Sequence, residues 1–260
     1  MATIAKSLPS LTQNDASVLQ ALFDAESSPS SGITVDQSLP SWPPSVTISQ
    51  EDLSSLKIQE TDIVRRLQRV TTPDRELIDS TLEAFNSLVN EFSTYPPAYT
   101  NRAQVLRILV DHAYNEKHPH SIEAERDDAL FTPEAAELSS CVFADLGQAI
   151  KFATPASPAD PVSSVQARLL ADAHTHRGYL LLKAARVKKN RLEQHNLQPV
   201  GPERLQGLNA DQLEEMASRD FFLGGRYGNK VGQQLAVQTN PYAKMCGAIV
   251  KEAMRKEVEG

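Results

Sequence analysis

The chain has 260 residues, and 26 Lys and Arg against 33 Asp and Glu leave a net charge of −7. That balance argues against a general nucleic-acid binder, whose phosphate contacts need clustered cations. Cys141 and Cys246 are too few for a disulfide scaffold or a multi-cysteine zinc module, and no apolar run approaches the roughly 20 residues that span a bilayer. The first fifteen residues carry no long apolar stretch of the secretory kind, so the expected location is the cytoplasm or the nucleus.

Residues 14–26 read as a short amino-terminal helix. Asn14 or Asp15 can cap it, and Val18, Leu19, Leu22 and Phe23 share one face. The Ser- and Pro-rich stretch 27–45 lacks an apolar period and reads as a linker. Within it, Trp42 is either an aromatic that pins the linker to the body or a peptide-like anchor. Residues 1–49 therefore form a helix plus linker, and 50–260 a separate helical domain.

From residue 50 the period is helical. Leu53, Leu56, Ile63, Leu67 and Val70 stripe the first segment. Thr72-Pro73-Asp74 restarts the chain with a cap, and Leu77, Ile78, Leu82, Phe85, Leu88, Val89 and Phe92 stripe the second. After Tyr95-Pro96-Pro97, a third helix turns Tyr99, Ala103, Leu106 and Leu109 or Val110 inward. Thr132-Pro133-Glu134 repeats the cap signal before Leu138, Val142, Leu146, Ala149 and Ile150. A long helix over 163–189 and another over 210–223 follow, and Asn240-Pro241 opens a last one with Tyr242, Met245, Cys246 and Ile249 on one side. No alternation of β-branched residues competes. The predicted fold class is all-α.

Successive helix pairs call for a period. Tyr99, Arg102, Ala103 and Leu106 have the spacing of the first helix of a tetratricopeptide repeat, as do His174, Arg177, Gly178 and Leu181. Leu146 with Ala149 and Phe221 with Gly224 fit the second helix, and Phe85 precedes Ala103 by the 18 residues that a repeat of about 34 requires. Both later pairs are stretched equally, with 43 residues from Ala103 to Leu146 and from Gly178 to Phe221. The extra residues fall in 114–135 and 187–209, polar segments expected to be surface loops dispensable for folding. The expected architecture is a tetratricopeptide α-solenoid of about three hairpins, near 50–95, 97–155 and 162–228, with a capping segment over 229–257.

Asn14-Asp15 with Val18-Leu19-Gln20-Ala21, the middle segment AYTNRAQ, the late segment RDFFLGGRYG and Asn240-Pro241-Tyr242-Ala243 occur in that order. In this the chain resembles the tetratricopeptide repeat protein 36 family. The resemblance implies a non-enzymatic adaptor without a cofactor, whose protein partner is a heat-shock chaperone of the seventy-kilodalton class or an enzyme of tyrosine breakdown.

Other motifs carry rival chemistry. Asp172-Ala173-His174-Thr175-His176 has the D-x-H-x-H form of metal-dependent hydrolases, in which two-residue spacing puts ligands on one face of a strand. On a helix, residues two apart point about 200° apart, so the pattern loses its meaning if its flanks are helical. His118 and His120 beside Glu123, Glu125, Asp127 and Asp128 read as a solvated acidic loop in preference to a cation site. Gly224, Gly225 and Gly228 follow a helix and read as a helix end, since a phosphate loop needs a strand before it. Cys141 and Cys246 lie on apolar faces and read as core thiols. Arg186, Lys188, Lys189 and Arg191 offset a helix dipole.

If the first helix of each hairpin lines a concave face, partner contacts fall to Asn101, Gln104 and Arg107, then to Thr175, His176, Tyr179 and Lys183. Neither nucleic acid nor membrane is an expected partner. A structural subunit of a larger assembly is the remaining alternative.

Overall fold

Polar side chains mark where several of the helices begin. A computed structural model describes residues 33–195, 198–240 and Arg255. Ser49 accepts a bond from the amide of Asp52 at 3.1 Å and opens α1, Gln50–Gln68. Asp74 does the same for Leu77 at 2.9 Å and opens α2, Arg75–Glu91. Proline begins α3, Pro96–Lys117, at a position where a missing N–H is harmless. The short α4, Glu123–Asp127, leads through two 3-10 turns, Ala129–Phe131 and Pro133–Ala135, into α5, Ala136–Ala153. Ser163 and Gln166 exchange cap bonds at the start of α6, Ser164–Glu193. A single turn, α7 at Glu203–Gln206, precedes α8, Ala210–Arg226, capped in the same reciprocal way by Asn209 and Gln212. Asn229 caps α9, Lys230–Thr239, a helix that the periodicity does not predict.

Among the described residues the regular structure is helical, and the one extended pairing is a parallel bridge between Val35 and Val162. No described helix is long and apolar enough to cross a membrane. The helices predicted over 14–26 and from Pro241 lie outside the described residues.

α3 packs chiefly on α5, and α6 on α8. Each pair is antiparallel: the Tyr99 ring meets Phe152 at 5.9 Å while Arg102, further along, bonds Asp145. Small residues allow the approach. A Cβ added at Gly178 would lie 3.0 Å from the Phe221 ring and 3.2 Å from the Ala217 carbonyl. Ala103, fully buried, holds the matching position in the earlier pair. Leu56, Ile78 and Phe85 centre one core cluster, and Phe131, Phe143, Leu146, Leu180, Leu213 and Phe221 a larger one.

The structure departs from three expectations. The segments 114–135 and 187–209 are only in part peripheral loops: 115–127 lie largely exposed, but Ala129, Leu130, Phe131, Val187, Val200 and Leu205 are buried in the larger cluster. The two segments also meet. Gly201, at φ +68°, donates its amide to the Phe131 carbonyl, which also accepts from Arg191 at 3.2 Å. Polar composition concealed a few large apolar side chains that hold the loops down.

Residues 33–48 are not a free linker. Ser163 Oγ donates to the Ser41 carbonyl at 2.8 Å, Ser45 Oγ to the Phe152 carbonyl at 3.0 Å, and the Trp42 ring packs edge-on against Tyr95. Of the two roles open to Trp42, the pinning contact is the one seen. Cys141 is exposed, not a core thiol, since it falls in the exposed stripe of α5 with Glu137, Ala144 and Gln148. Cys246 lies outside the described residues.

Candidate functional site

α1, α3 and α6 line one groove of about 450 Å³, with Ser41 and Trp42 of the pinned strap in its wall. Glu60 of α1 is held on both oxygens: Tyr95 donates its hydroxyl to Oε2 and Asn101 its amide to Oε1, each at 2.7 Å. Burial, with that carboxylate beside it, pushes the Tyr95 phenol far above its ordinary range. Leu53, Val165 and Leu169 supply apolar wall, and Lys57, Arg168 and Asp172 its charged rim.

Deeper between α3 and α6, Arg107 donates to Nε2 of His176 at 2.8 Å. Arginine has no acceptor, so that nitrogen must be unprotonated. The Gln104 amide lies 3.5 Å from the other ring nitrogen. Burial first, and the Arg107 charge second, hold the His176 pKa down to about 4. Asp111, one turn beyond Arg107, is shifted upward by burial, with Arg107 and Lys183 opposing.

Of the residues expected on the concave face, Asn101, Gln104 and His176 line the groove, and Arg107 reaches it through His176. The others sit elsewhere. Thr175 donates to the Ala171 carbonyl at 2.7 Å and packs against Gly224 and Gly232 where α6 meets α8 and α9. Lys183 is 3 % exposed; its ammonium donates to the Asp127 carboxylate and, at 2.9 Å, to the Asp127 carbonyl. Tyr179 is on the surface, its ring centroid 5.2 Å from that ammonium. Thr175 and Lys183 are thus committed to packing within the chain, because an unbroken helix carries them progressively round its axis and away from the groove.

The D-x-H-x-H residues do not converge. Asp172 accepts from Asn229 at 3.1 Å, His176 faces Arg107, and buried His174 meets Asp220 at 2.8 Å with its ring stacked on Tyr227. Helical geometry sends the three side chains to three partners, and among the described residues no group of three such ligands could hold a metal ion.

Asp220 is the hub of a buried network. Arg177 grips both of its oxygens, at 2.7 and 2.8 Å. Burial opposes the charge, but the bonds from Arg177 and His174 outweigh it and hold the carboxyl below the usual range. The same device joins α3 to α5, where Arg102 grips Asp145 at 2.6 and 2.8 Å. Both arginine–aspartate pairs are 43 residues apart in sequence.

The chain is 58% identical over 260 residues to the L-tyrosine degradation gene cluster protein hmgX of Aspergillus fumigatus, an alignment that covers 99% of this chain and 97% of that protein. The chain belongs to the hmgX family. This corrects the likeness to the tetratricopeptide repeat protein 36 family, which short segments in the right order had suggested; agreement along nearly the whole hmgX chain overturns it. The expectation of a heat-shock chaperone partner rested on that likeness alone. No protein-family model matches the hmgX-like chain, and no solved structure matches it.

Sequence reasoning missed Glu60, Lys57 and Arg168, which lie beside the groove on α1 and α6. Apolar stripes single out buried positions and are silent about which polar neighbours face a concavity. The ion pairs did leave a signal: Arg102-Ala103 with Asp145-Leu146 is echoed by Arg177-Gly178 with Asp220-Phe221.

Proposed function

We propose that this chain is a non-enzymatic adaptor, a stack of about three helix hairpins of the tetratricopeptide kind, whose groove engages a protein of tyrosine breakdown. The observation that carries the reading is the open groove itself, walled by apolar and polar side chains from α1, α3 and α6 that a segment of another protein can engage. The repeated close approach at Ala103 and Gly178, with the recurring arginine–aspartate clasp, supports the hairpin stack. The link to tyrosine breakdown comes from the printed name of the Aspergillus fumigatus relative.

The test is a tagged full-length chain expressed in its own cells grown on tyrosine, followed by identification of co-purifying enzymes. Gln104→Phe places a bulky ring at an exposed groove position and should abolish co-purification and growth on tyrosine while leaving the melting temperature unchanged. Wild-type growth and an unchanged set of partners in that variant would remove the groove from the function. Turnover of a tyrosine metabolite by the isolated chain would replace the adaptor with an enzyme.

A further inference from the structure

The groove is asymmetric in its unmet hydrogen-bonding capacity. Each of its acids has an acceptor oxygen engaged: Glu60 accepts on both from Tyr95 and Asn101, and Asp172 on Oδ1 from Asn229. Its cations are not engaged. Lys57 on α1 and Arg168 on α6 are both exposed, and among the described residues no hydrogen bond or ion pair engages either side chain. The indole N–H of Trp42 likewise has no acceptor among the described residues. Donors without acceptors select a ligand that brings acceptors, and charge-assisted bonds are the strong kind. Beside these donors, Val165 is 44% exposed and Leu53 and Leu169 are half-buried, an apolar strip against which a large side chain can pack. The net charge of −7 gives no long-range attraction for an acidic ligand, so the selection must be local.

We propose that the groove takes an extended segment of the partner protein in which an aspartate or glutamate neighbours a bulky apolar residue, the carboxylate bound by Lys57, Arg168 and the Trp42 indole and the apolar side chain laid along Leu53, Val165 and Leu169. The proposal rests on the adaptor reading above and names the chemistry that the groove recognises. An internal acidic residue suffices; no chain terminus is required.

Trp42 is the sole tryptophan and stands in the groove wall, so its emission reports occupancy without a label. The full chain is titrated with four pools of end-blocked, tryptophan-free octapeptides: acidic beside Leu or Phe, basic beside Leu or Phe, Asn or Gln beside Leu or Phe, and acidic beside Ser. The first pool alone should change the emission saturably. Lys57→Gln and Arg168→Gln should each weaken that binding about tenfold or more, and Arg168→Glu should turn the preference toward the basic pool. Both positions are exposed, so the variants should melt as the wild type does. Equal response to the Asn/Gln pool, or undiminished affinity in Lys57→Gln and Arg168→Gln, overturns the carboxylate recognition and leaves the groove reading standing. Equal response to the acidic–Ser pool overturns the paired acid and apolar residue in favour of a simple anion. Silence from every pool overturns the proposal outright, and the Gln104→Phe co-purification then judges the groove by itself.

Discussion

Arg107 donates its guanidinium to Nε2 of His176 at 2.8 Å, which leaves that imidazole no place for a second proton. An unfolded histidine titrates near ~6.5, whereas folded His176 is held at about 4. Between those values the unfolded chain binds the extra proton, so stability rises with pH across the window and is lost as pH falls through it. His176→Gln keeps an acceptor for Arg107 and removes the titration. Between neutral pH and about pH 4, the wild type should lose on the order of 2–3 kcal/mol more than this variant in urea unfolding. Coincident slopes for the two proteins would show that the imidazole titrates normally in the fold.

Asp220 presents a different vulnerability. Arg177→Met strips the buried carboxylate of its bidentate partner and leaves only His174. Removing one member of such a pair costs about 3–5 kcal/mol, because the remaining charge stays buried without compensation. Arg177→Met combined with Asp220→Leu should recover much of that loss. Denaturant midpoints for the single and double variants decide it, and a single variant as stable as wild type would mean that the clasp contributes nothing.

Phe131 is fully buried among residues of both long insertions, with Gly201 against its ring. Phe131→Ala should destabilise by roughly 3–5 kcal/mol through lost burial and the cavity left behind. Replacing 122–135 by a short Gly/Ser loop should abolish the cooperative thermal transition. A sharp melt in that loop variant, followed by circular dichroism, would return these segments to the periphery.

Gly224 faces Thr175 and the Ala171 carbonyl so closely that a Cβ there would collide with the Thr175 hydroxyl. Gly224→Ala should therefore cost about 1–3 kcal/mol despite its gain in helix propensity. Adding Thr175→Ala removes the hydroxyl and should restore part of the stability. If Gly224→Ala raises the melting temperature, α6 and α8 do not approach this closely.

The helices were legible because buried faces impose a 3.6-residue period, and starts such as Asp74 announce themselves through side chains that satisfy orphan amides. The groove was half legible. Asn101 and His176 each lie two positions before a small close-packing residue, Ala103 and Gly178, so the same signal that locates the helix contact orients its neighbours. Thr175 and Lys183 show the limit of that reasoning, since small errors in angle separate a groove from a packed face. The clasps at Asp145 and Asp220 escaped for another reason. A charge in a helix reads as solvent-facing until a partner far along the chain is known, and burial of such pairs depends on that tertiary contact.

Hairpins that touch only their immediate neighbours can be duplicated or deleted one at a time, and families built that way vary freely in length. The bond between the Gly201 amide and the Phe131 carbonyl ties the connection inside one hairpin to the connection inside the next. Neither hairpin can be copied or excised without orphaning the other's loop. Gene rearrangement should therefore have treated α3 through α8 as one indivisible cassette, and viable length variants of this chain are to be sought before α3 or after α8.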